Sequence, residues 1–556
     1  MSNQMDLFGS GGAATAVLPN ANEFGERNNR EEIELQLGVI EAETWAARHK
    51  FHKYWGKKPA NVVERYVRHF TTPGEAVCDP FCGSGVTAVE AVIAKRNFIG
   101  FDINPFAVRH TKALLYPPDV AKFAEAAKRI AGAVGKEAVE LFSTNCRKCG
   151  KSTEVKSYLY EGDVMQEVRY KCASCGSVAA EPDAYDLALA SAPHSAPCGT
   201  PDADIFYGWQ MRKLKRRSVR RWSEMFTSRN FRIAGLIWRE IMKVEDERVK
   251  EWAMLTFTAG LAQFTKMIAD YKGAGGGPSW KINCYWLPDR WQELNPLRFF
   301  ENRVKRSIAA IADLNKSGAP FACKGLVHAT DSRNLPLEDA SVDYIFTDPP
   351  YGGEGIQYGE LSMLWCIWLG EEQKLESEIA FNPVRGLSER DYANGLKSSF
   401  SEAYRILKPG KAMTVTFANK DPDVWDALME ACRSAGFRLL TAAPMERSAP
   451  SLTETTMARA PKADLVLTFE RPITNVKGRK YVAKDTYDLK QRILVLANKL
   501  ASKGLPVNAS HIYDMITIDW FSWYYENGAR PNSLRPTQGA IIGILNALES
   551  QKEIHA

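Results

Sequence analysis

The sequence predicts an α/β chain, a mostly parallel sheet with helices on both faces, interrupted by a large insertion and followed by a small helical region. Three observations predict it. Residues 77–102 read as strand, glycine turn, helix, strand and terminal acid, the order of a nucleotide-binding half. Residues 325–472 again alternate strand with helix, the pattern of parallel sheets. Residues 116–324 lie between these halves, far too many for a plain loop in a compact domain, so they should form a structure of their own.

Composition agrees with a globular chain of several domains. The 556 residues are 45% hydrophobic and 25% charged, an ordinary balance. Lys plus Arg number 72 against 66 Asp plus Glu, a formal charge of +6. So mild an excess permits a polyanionic partner without demanding one, and clustering of charge has to carry that argument. No apolar run approaches the ~20 residues that span a bilayer and no signal peptide is legible, so a cytoplasmic protein without membrane partners is expected. In that compartment the eleven cysteines read as thiols and metal ligands.

In chain order, residues 1–40 are rich in Gly, Ala, Asn and Glu and read as a flexible tail. Within it Gln4, Leu7 and Phe8 resemble the short peptide that bacterial replication proteins insert into the sliding clamp. Chance apolar residues are the alternative. The first sheet segment covers 41–115. Val77 to Thr87 reads as a short strand running into a glycine turn, Ala88 to Ala94 as helix-like, and Phe98 to Phe101 as a second strand ending in Asp102. That acid lies 17 residues beyond Gly85, close to the spacing of about 20 expected of an acid that binds ribose hydroxyls.

The insertion opens with a helix-like linker, Val120 to Leu141, followed by Cys146-x2-Cys149 and Cys172-x2-Cys175, with Gly150 and Gly176 after the pairs. Four thiolates give the closed tetrahedral shell of structural zinc, placing a ribbon at 142–180. An iron–sulfur cluster, incidental thiols, and His194 or Cys198 as a ligand stay open. Next, Arg212, Lys213, Lys215, Arg216, Arg217, Arg220 and Arg221 put seven cations in eleven residues, a surface for phosphates, with a solvated helix face as the alternative. Trp209, Trp222, Arg229 and Arg232 offer stacking and charge nearby. Residues 181–320 are the expected recognition region, and Lys272 to Pro278 a hinge or substrate-facing loop.

In the second segment, 325–472, Leu326 to Ala329 and Val342 to Phe346 read as buried strands. Phe400 to Leu407 reads as a helix stopped by Lys408-Pro409-Gly410, Ala412 to Phe417 as a strand, Pro422 to Ala435 as a helix, and Arg438 to Ala442 as a strand. Ligands of such sheets bind at the carboxyl ends of strands, where Asp79, Asp102, Asp331 and Asp348 all fall. Asp348-Pro349-Pro350-Tyr351 can hold a planar amino group: the acid accepts one hydrogen, a proline-stiffened carbonyl the other, and the ring stacks on the base. A structural turn is the alternative. Residues 473–556 read as a helical accessory domain, with Trp520, Trp523, Tyr524 and Tyr525 as core.

Asp79-Pro80-Phe81-Cys82-Gly83-Ser84-Gly85 paired with Asp348-Pro349-Pro350-Tyr351 resembles the S-adenosylmethionine-dependent amino-methyltransferases of DNA. His52 to Pro59, Tyr358-Gly359-Glu360-Leu361-Ser362 and Arg405 to Gly410 resemble the adenine-specific branch that carries a zinc ribbon. The resemblance implies a Rossmann-like class I methyltransferase sheet holding S-adenosylmethionine and acting on adenine N6 in double-stranded DNA by base flipping and direct transfer. Asp79, Phe81, Gly83 and Gly85 would form the cofactor loop, Asp102 hold the ribose, Asp331 reach the cofactor's adenine, and residues 54–59 close over it. Asp348 to Tyr351 would be catalytic, with Cys82 and Cys366 left to packing. Cytosine N4 methylation, tRNA guanine N2 methylation and a non-catalytic role in a defence complex stay open as rivals. Restriction would need a nuclease partner.

Overall fold

The computed structural model describes residues 37, 40–270, 280, 283–318, 324–352, 356–419, 421–445, 464–474, 487–502, 507, 509–527 and 538–550. The clamp-like peptide Gln4, Leu7 and Phe8 and the glycine loop 272–278 lie outside them.

The first segment folds as α1 (Ala60–Phe70), β1 (Ala76–Asp79), α2 (Val86–Ile93), β2 (Asn97–Asp102) and α3 (Pro105–Leu115). Each turn has a local cause. Gly85 precedes α2 at φ 74°, and a Cβ there would lie 2.7 Å from Thr111 Oγ1, so both conformation and space call for glycine. Asn104 caps α3 by accepting from Phe106 N, with Pro105 in the first turn.

The insertion begins with α4 (Val120–Leu141), capped by Asp119, and continues as β3 (Ser143–Asn145), β4 (Ser152–Glu161), β5 (Val164–Cys172) and β6 (Gly176–Ala180). After α5 (Ala184–Ser191), α6 (Arg212–Arg216), α7 (Ser228–Met242) and α8 (Glu247–Phe264) comes β7 (Arg290–Leu294), then α9 (Pro296–Lys316). β7 pairs antiparallel with β4, so the far end of the insertion completes the cysteine-bearing sheet. Trp291 stacks on Tyr160 across that pairing, centroids 4.4 Å apart. Beneath it, buried Arg229 forks onto buried Glu293. Removing one partner of such a pair strands a charge and costs about 3–5 kcal/mol.

The second segment supplies β8 (Gly325–Ala329), β9 (Val342–Thr347), α10 (Tyr358–Leu369), α11 (Glu389–Ile406), β10 (Leu407–Phe417), α12 (Pro422–Ala435), β11 (Arg438–Met445) and β12 (Asp464–Glu470). α11 begins well before the expected Phe400, because Ser388 and Asp391 form a capping box. It ends at Ile406, and Lys408-Pro409-Gly410 lies inside β10, where the register with β9 breaks between Leu407 and Ala412. α13 (Leu489–Ser502), α14 (Ala509–Asn527) and α15 (Gln538–Ser550) close the chain. Trp520, Trp523, Tyr524 and Tyr525 are buried in one core with α12 and β11.

The main sheet runs β11-β12-β10-β9-β1-β2-β8, all parallel except β12. β1 and β9 are buried along their whole length, as central parallel strands must be. From β1 the chain winds outward to β2 and β8, then returns to β9 on its other side. That reversal makes the carboxyl ends of β1 and β9 the switch point at which such sheets open a crevice. Among the described residues no helix is long and apolar enough to cross a membrane.

Candidate active site

A cleft of about 1090 Å³, counted out to its open mouth, lies over that switch point. Tyr54 to Lys58, Asp79 to Ser84, Asp102, Asp331, Asp348, Pro350, Tyr358 and Glu378 are among its walls. Motifs some 265 residues apart in sequence thus share one cavity, and beyond the pairing of β1 with β9, Thr347 Oγ1 donates to Asp79 Oδ1 at 2.7 Å.

The glycine-loop wall is held by short, local bonds. Asp79 also accepts from Phe81 N at 3.1 Å. Its carboxylate faces inward, 3% exposed, so it shapes the loop instead of presenting itself to a ligand. Burial pushes this carboxyl up to about 7, against the Thr347 and Thr87 hydroxyls. Asp102, at the end of β2, accepts from Gly83 N at 2.8 Å and Asn104 N at 2.9 Å. Burial raises it to about 6 while those N–H groups pull it down. Gly83, at φ 45°, leaves room that a Cβ would fill to within 3.3 Å of Tyr54. Tyr54 stacks in turn on Tyr358, centroids 5.9 Å apart. Asp331 lines the cleft, but Arg333 forks onto both its oxygens at 2.5 to 3.0 Å. It could reach a ligand only by sharing that cation.

The opposite wall is built from distant charges. Asp348 Oδ2 accepts from Tyr351 Oη at 3.2 Å, and Oδ1 from Thr416 Oγ1 at 3.2 Å. Lys58 Nζ lies 3.3 Å from Oδ1 and 2.9 Å from Asp464 Oδ2, and also meets the Tyr351 hydroxyl. Burial pushes the Asp348 carboxyl up to about 6, with Lys58 opposing and Asp464 adding to the rise. Burial likewise works against the Lys58 charge, but Asp348 and Asp464 outweigh it and raise its pKa. Tyr392 Oη donates to the Pro350 carbonyl at 2.8 Å, leaving the Pro349 carbonyl as the acceptor that no described residue engages. The Tyr351 ring meets Phe417 edge to face, centroids 5.5 Å apart.

Sequence reasoning gave no role to Asp464, Thr416, Tyr392 or Glu360. Glu360 is fully buried and accepts from Gln210 N and Asn382 Nδ2 at 2.7 Å each, pinning the insertion beside the cleft. Its one signal was the Tyr358 to Ser362 stretch. Asp464 had only the oddity of an acid opening an apolar strand.

Away from the cleft, the sulfurs of Cys146, Cys149, Cys172 and Cys175 lie within 4.8 Å of one another. Those of Cys149 and Cys172 are 3.6 Å apart. Bonds of about 2.3 Å in a tetrahedron set the sulfurs about 3.8 Å apart, so this donor set fits zinc. Gly150 and Gly176 turn at φ 72° and 76°. His194 bonds the Leu189 carbonyl at 3.0 Å, and neither it nor Cys198 joins the cluster.

The basic stretch is not a helix face. Only Arg212 to Arg216 are helical, Arg217 pairs with Asp289, and Arg221 pairs with Asp202 and Asp204. Arg212 stacks 3.3 Å over Trp209, while Lys213 and Lys215 lie over Trp286 and Tyr207. Trp222 and Arg229, expected as stacking and cationic groups at a surface, are core residues, each 1% exposed. Arg232 pairs with Glu137. Trp222 is buried among apolar neighbours and Arg229 against an acid, while Arg217, Arg221 and Arg232 pair with acids and stay at least partly exposed.

Residues 21–113 match the profile of the DNA methylase family of N6 and N4 methyltransferases. The chain is 35% identical over 74 residues to the type II methyltransferase M.MjaII of Methanocaldococcus jannaschii, covering 13% of this chain and 14% of that one. It is 41% identical over 58 residues to the type II methyltransferase M1.MboII of Moraxella bovis, covering 10% and 22%. The chain thus spans less than a quarter of either relative. Among solved structures, the [4+2]-cyclase SpnF is 15% identical, with 31% of this chain and 64% of that chain covered at a TM-score of 0.17, too slight a likeness to carry argument.

Proposed function

We propose that this chain is an S-adenosylmethionine-dependent DNA methyltransferase that modifies adenine N6 in a flipped-out base. The observation that carries the reading is the convergence, in one cleft at the switch point, of the glycine loop, Asp102 and Asp348, with Tyr351 bonded to Asp348. Use of S-adenosylmethionine fits the matched family. The donor set suits it too, since Asp102 stands at a strand end and Gly83 lines the cleft without a side chain beside Tyr54. Asp102 would hold the ribose hydroxyls, Phe81 and Tyr54 flank the nucleoside, and Asp79 keep the loop in shape. Bound there, the cofactor supplies an electrophilic methyl carbon.

The chemistry left to the protein is positioning. An amino lone pair delocalised into the base is a poor nucleophile. Asp348 accepts one amino hydrogen and the Pro349 carbonyl the other, which draws the lone pair out of the ring plane. Tyr351 stacks on the extruded base. Asp348 would also take the proton that the nitrogen loses. No cysteine is required as nucleophile, in keeping with the burial of Cys82 and Cys366.

Zinc on the four cysteines would hold the β3 to β6 hairpins, and Arg212, Lys213, Lys215, Arg216 and Arg220, with Trp209, would line the DNA. Arg217 and Arg221 would have to exchange aspartates for phosphates. The clamp peptide and a nuclease partner belong to the same reading of a cytoplasmic DNA-modifying protein. The matched family covers both N6 and N4 enzymes, so cytosine N4 is the second reading.

Expression in a methylation-deficient host, followed by modification-sensitive sequencing, tests this. N6-methyladenine in one sequence motif is expected. N4-methylcytosine would establish the second reading, and unmodified DNA with methylated tRNA would overturn both.

A further inference from the structure

Lys58 is the least expected group in the cleft. A lysine that is 5% exposed loses most of its hydration and is retained only where fixed anions replace it. Here two do, from strands that have only β10 between them in the sheet. Lys58 enters on the segment before α1, Asp348 from the end of β9, and Asp464 from the start of β12. The hydroxyls of Thr416 and Tyr351 orient the Asp348 carboxylate without neutralising it. The other titratable groups facing it are Asp464, Asp79 of β1, Tyr358 of α10 and Tyr351 itself. Asp464 and Asp79 work against a second negative charge, whereas the Tyr351 hydroxyl donates to it and carries no charge of its own. Among the described residues Lys58 is the one cation paired with Asp348.

We propose that Lys58, itself anchored by Asp464, is the positioning residue that keeps Asp348 ionised and aimed at the target amino group. This rests on the amino-methyl-transfer reading above. A protonated Asp348 turns from acceptor to donor and cannot hold an amino hydrogen, so the charge on Lys58 is coupled to the reaction without touching the base.

The coupling has a sign that mere structural support lacks. Removing the Lys58 charge makes Asp348 harder to ionise, so the acid limb of the rate profile moves to higher pH. Removing the Asp464 charge does the opposite.

The test measures single-turnover methyl transfer to genomic DNA of a methylation-deficient host, as a function of pH. It compares wild type with Lys58→Met, Lys58→Arg and Asp464→Asn, each as the full chain. In parallel, infrared difference titration of cofactor-free protein follows the Asp348 carboxyl stretch, assigned by its loss in Asp348→Asn. Lys58→Met should be about tenfold slower on the acid limb, near pH 5, because tenfold less Asp348 is ionised there. It should recover to within about threefold of wild type near pH 9, where the carboxyl is ionised in both proteins. Its carboxyl stretch should titrate correspondingly higher, and Lys58→Arg should keep the wild-type limb. Uniform slowing with an unmoved limb and an unmoved stretch overturns the inference alone. Should Lys58→Met fail to fold, Asp464→Asn decides: a limb moved to lower pH supports the proposal, and an unmoved or raised one sinks it. Absence of methyl transfer from wild type to any nucleic acid removes the underlying reading, and the inference falls with it.

Discussion

The two walls of the cleft hold their carboxylates by different means. Asp79 and Asp102 are satisfied by backbone N–H groups and hydroxyls, mostly from residues within twenty positions of them. Asp348 is balanced by a lysine 290 positions upstream, which is itself shared with a second aspartate 116 positions downstream. A wall made of local bonds is shaped by its own short sequence. A wall made of converging charges exists only once the whole sheet has formed, and its properties depend on pH.

The sharpest way to test that contrast is Asp348→Ala, which should lower the methyl-transfer rate by about 10³-fold or more while cofactor affinity stays within about threefold. Equal loss of both would mean that the walls are one functional unit. Asp102→Asn should do the reverse, weakening cofactor binding by about 10- to 100-fold, the worth of hydrogen bonds to a charged group, with the saturated rate little changed. Because the Asp102 carboxyl is raised to about 6, wild-type affinity should strengthen as pH rises through 6 and the proton leaves. Calorimetry across that range should show this dependence flattened in the variant.

A smaller effect is expected of Gly85→Ala. Its left-handed φ of 74° and the 2.7 Å approach to Thr111 should cost about 1–3 kcal/mol in urea denaturation. A neutral result would show that the loop yields more readily than its bonding suggests. Smallest of all, Arg216→Ala outside both walls should weaken DNA binding evenly across sequences and reduce the salt slope by about 1. A change in sequence preference would instead place Arg216 at a base edge.

The same contrast explains what could be read from the sequence alone. The strand, glycine turn, helix and acid of residues 76–102 are a contiguous pattern, and so is the spacing of the four cysteines. Both stand where their spacing put them. The α4 linker also matches its expected range, because Asp119 and an apolar periodicity mark it. Nothing in the neighbourhood of Asp464 announces Lys58, and nothing near Gln210 announces Glu360, since each pairing is a product of tertiary closure. Trp222 and Arg229 misled for the same reason. The Arg229 charge looks exposed until Glu293 of β7 pairs with it, and the Trp222 ring until Tyr285 packs edge to face against it.

One detail of the insertion bears on how the chain assembles. Tyr116 Oη donates to the Gly325 carbonyl at 2.6 Å, and Leu115 packs where a Gly325 side chain would begin. The detour therefore leaves and re-enters the sheet at nearly one point. On a ribosome adding roughly 5–20 residues each second, β1 waits on the order of tens of seconds for β9. If the intervening residues fold during that wait, their two ends are already side by side. The closing of β8 onto β2 then carries the entropy of a short connection instead of that of a loop of roughly 200 residues, and the insertion serves the sheet as a clasp.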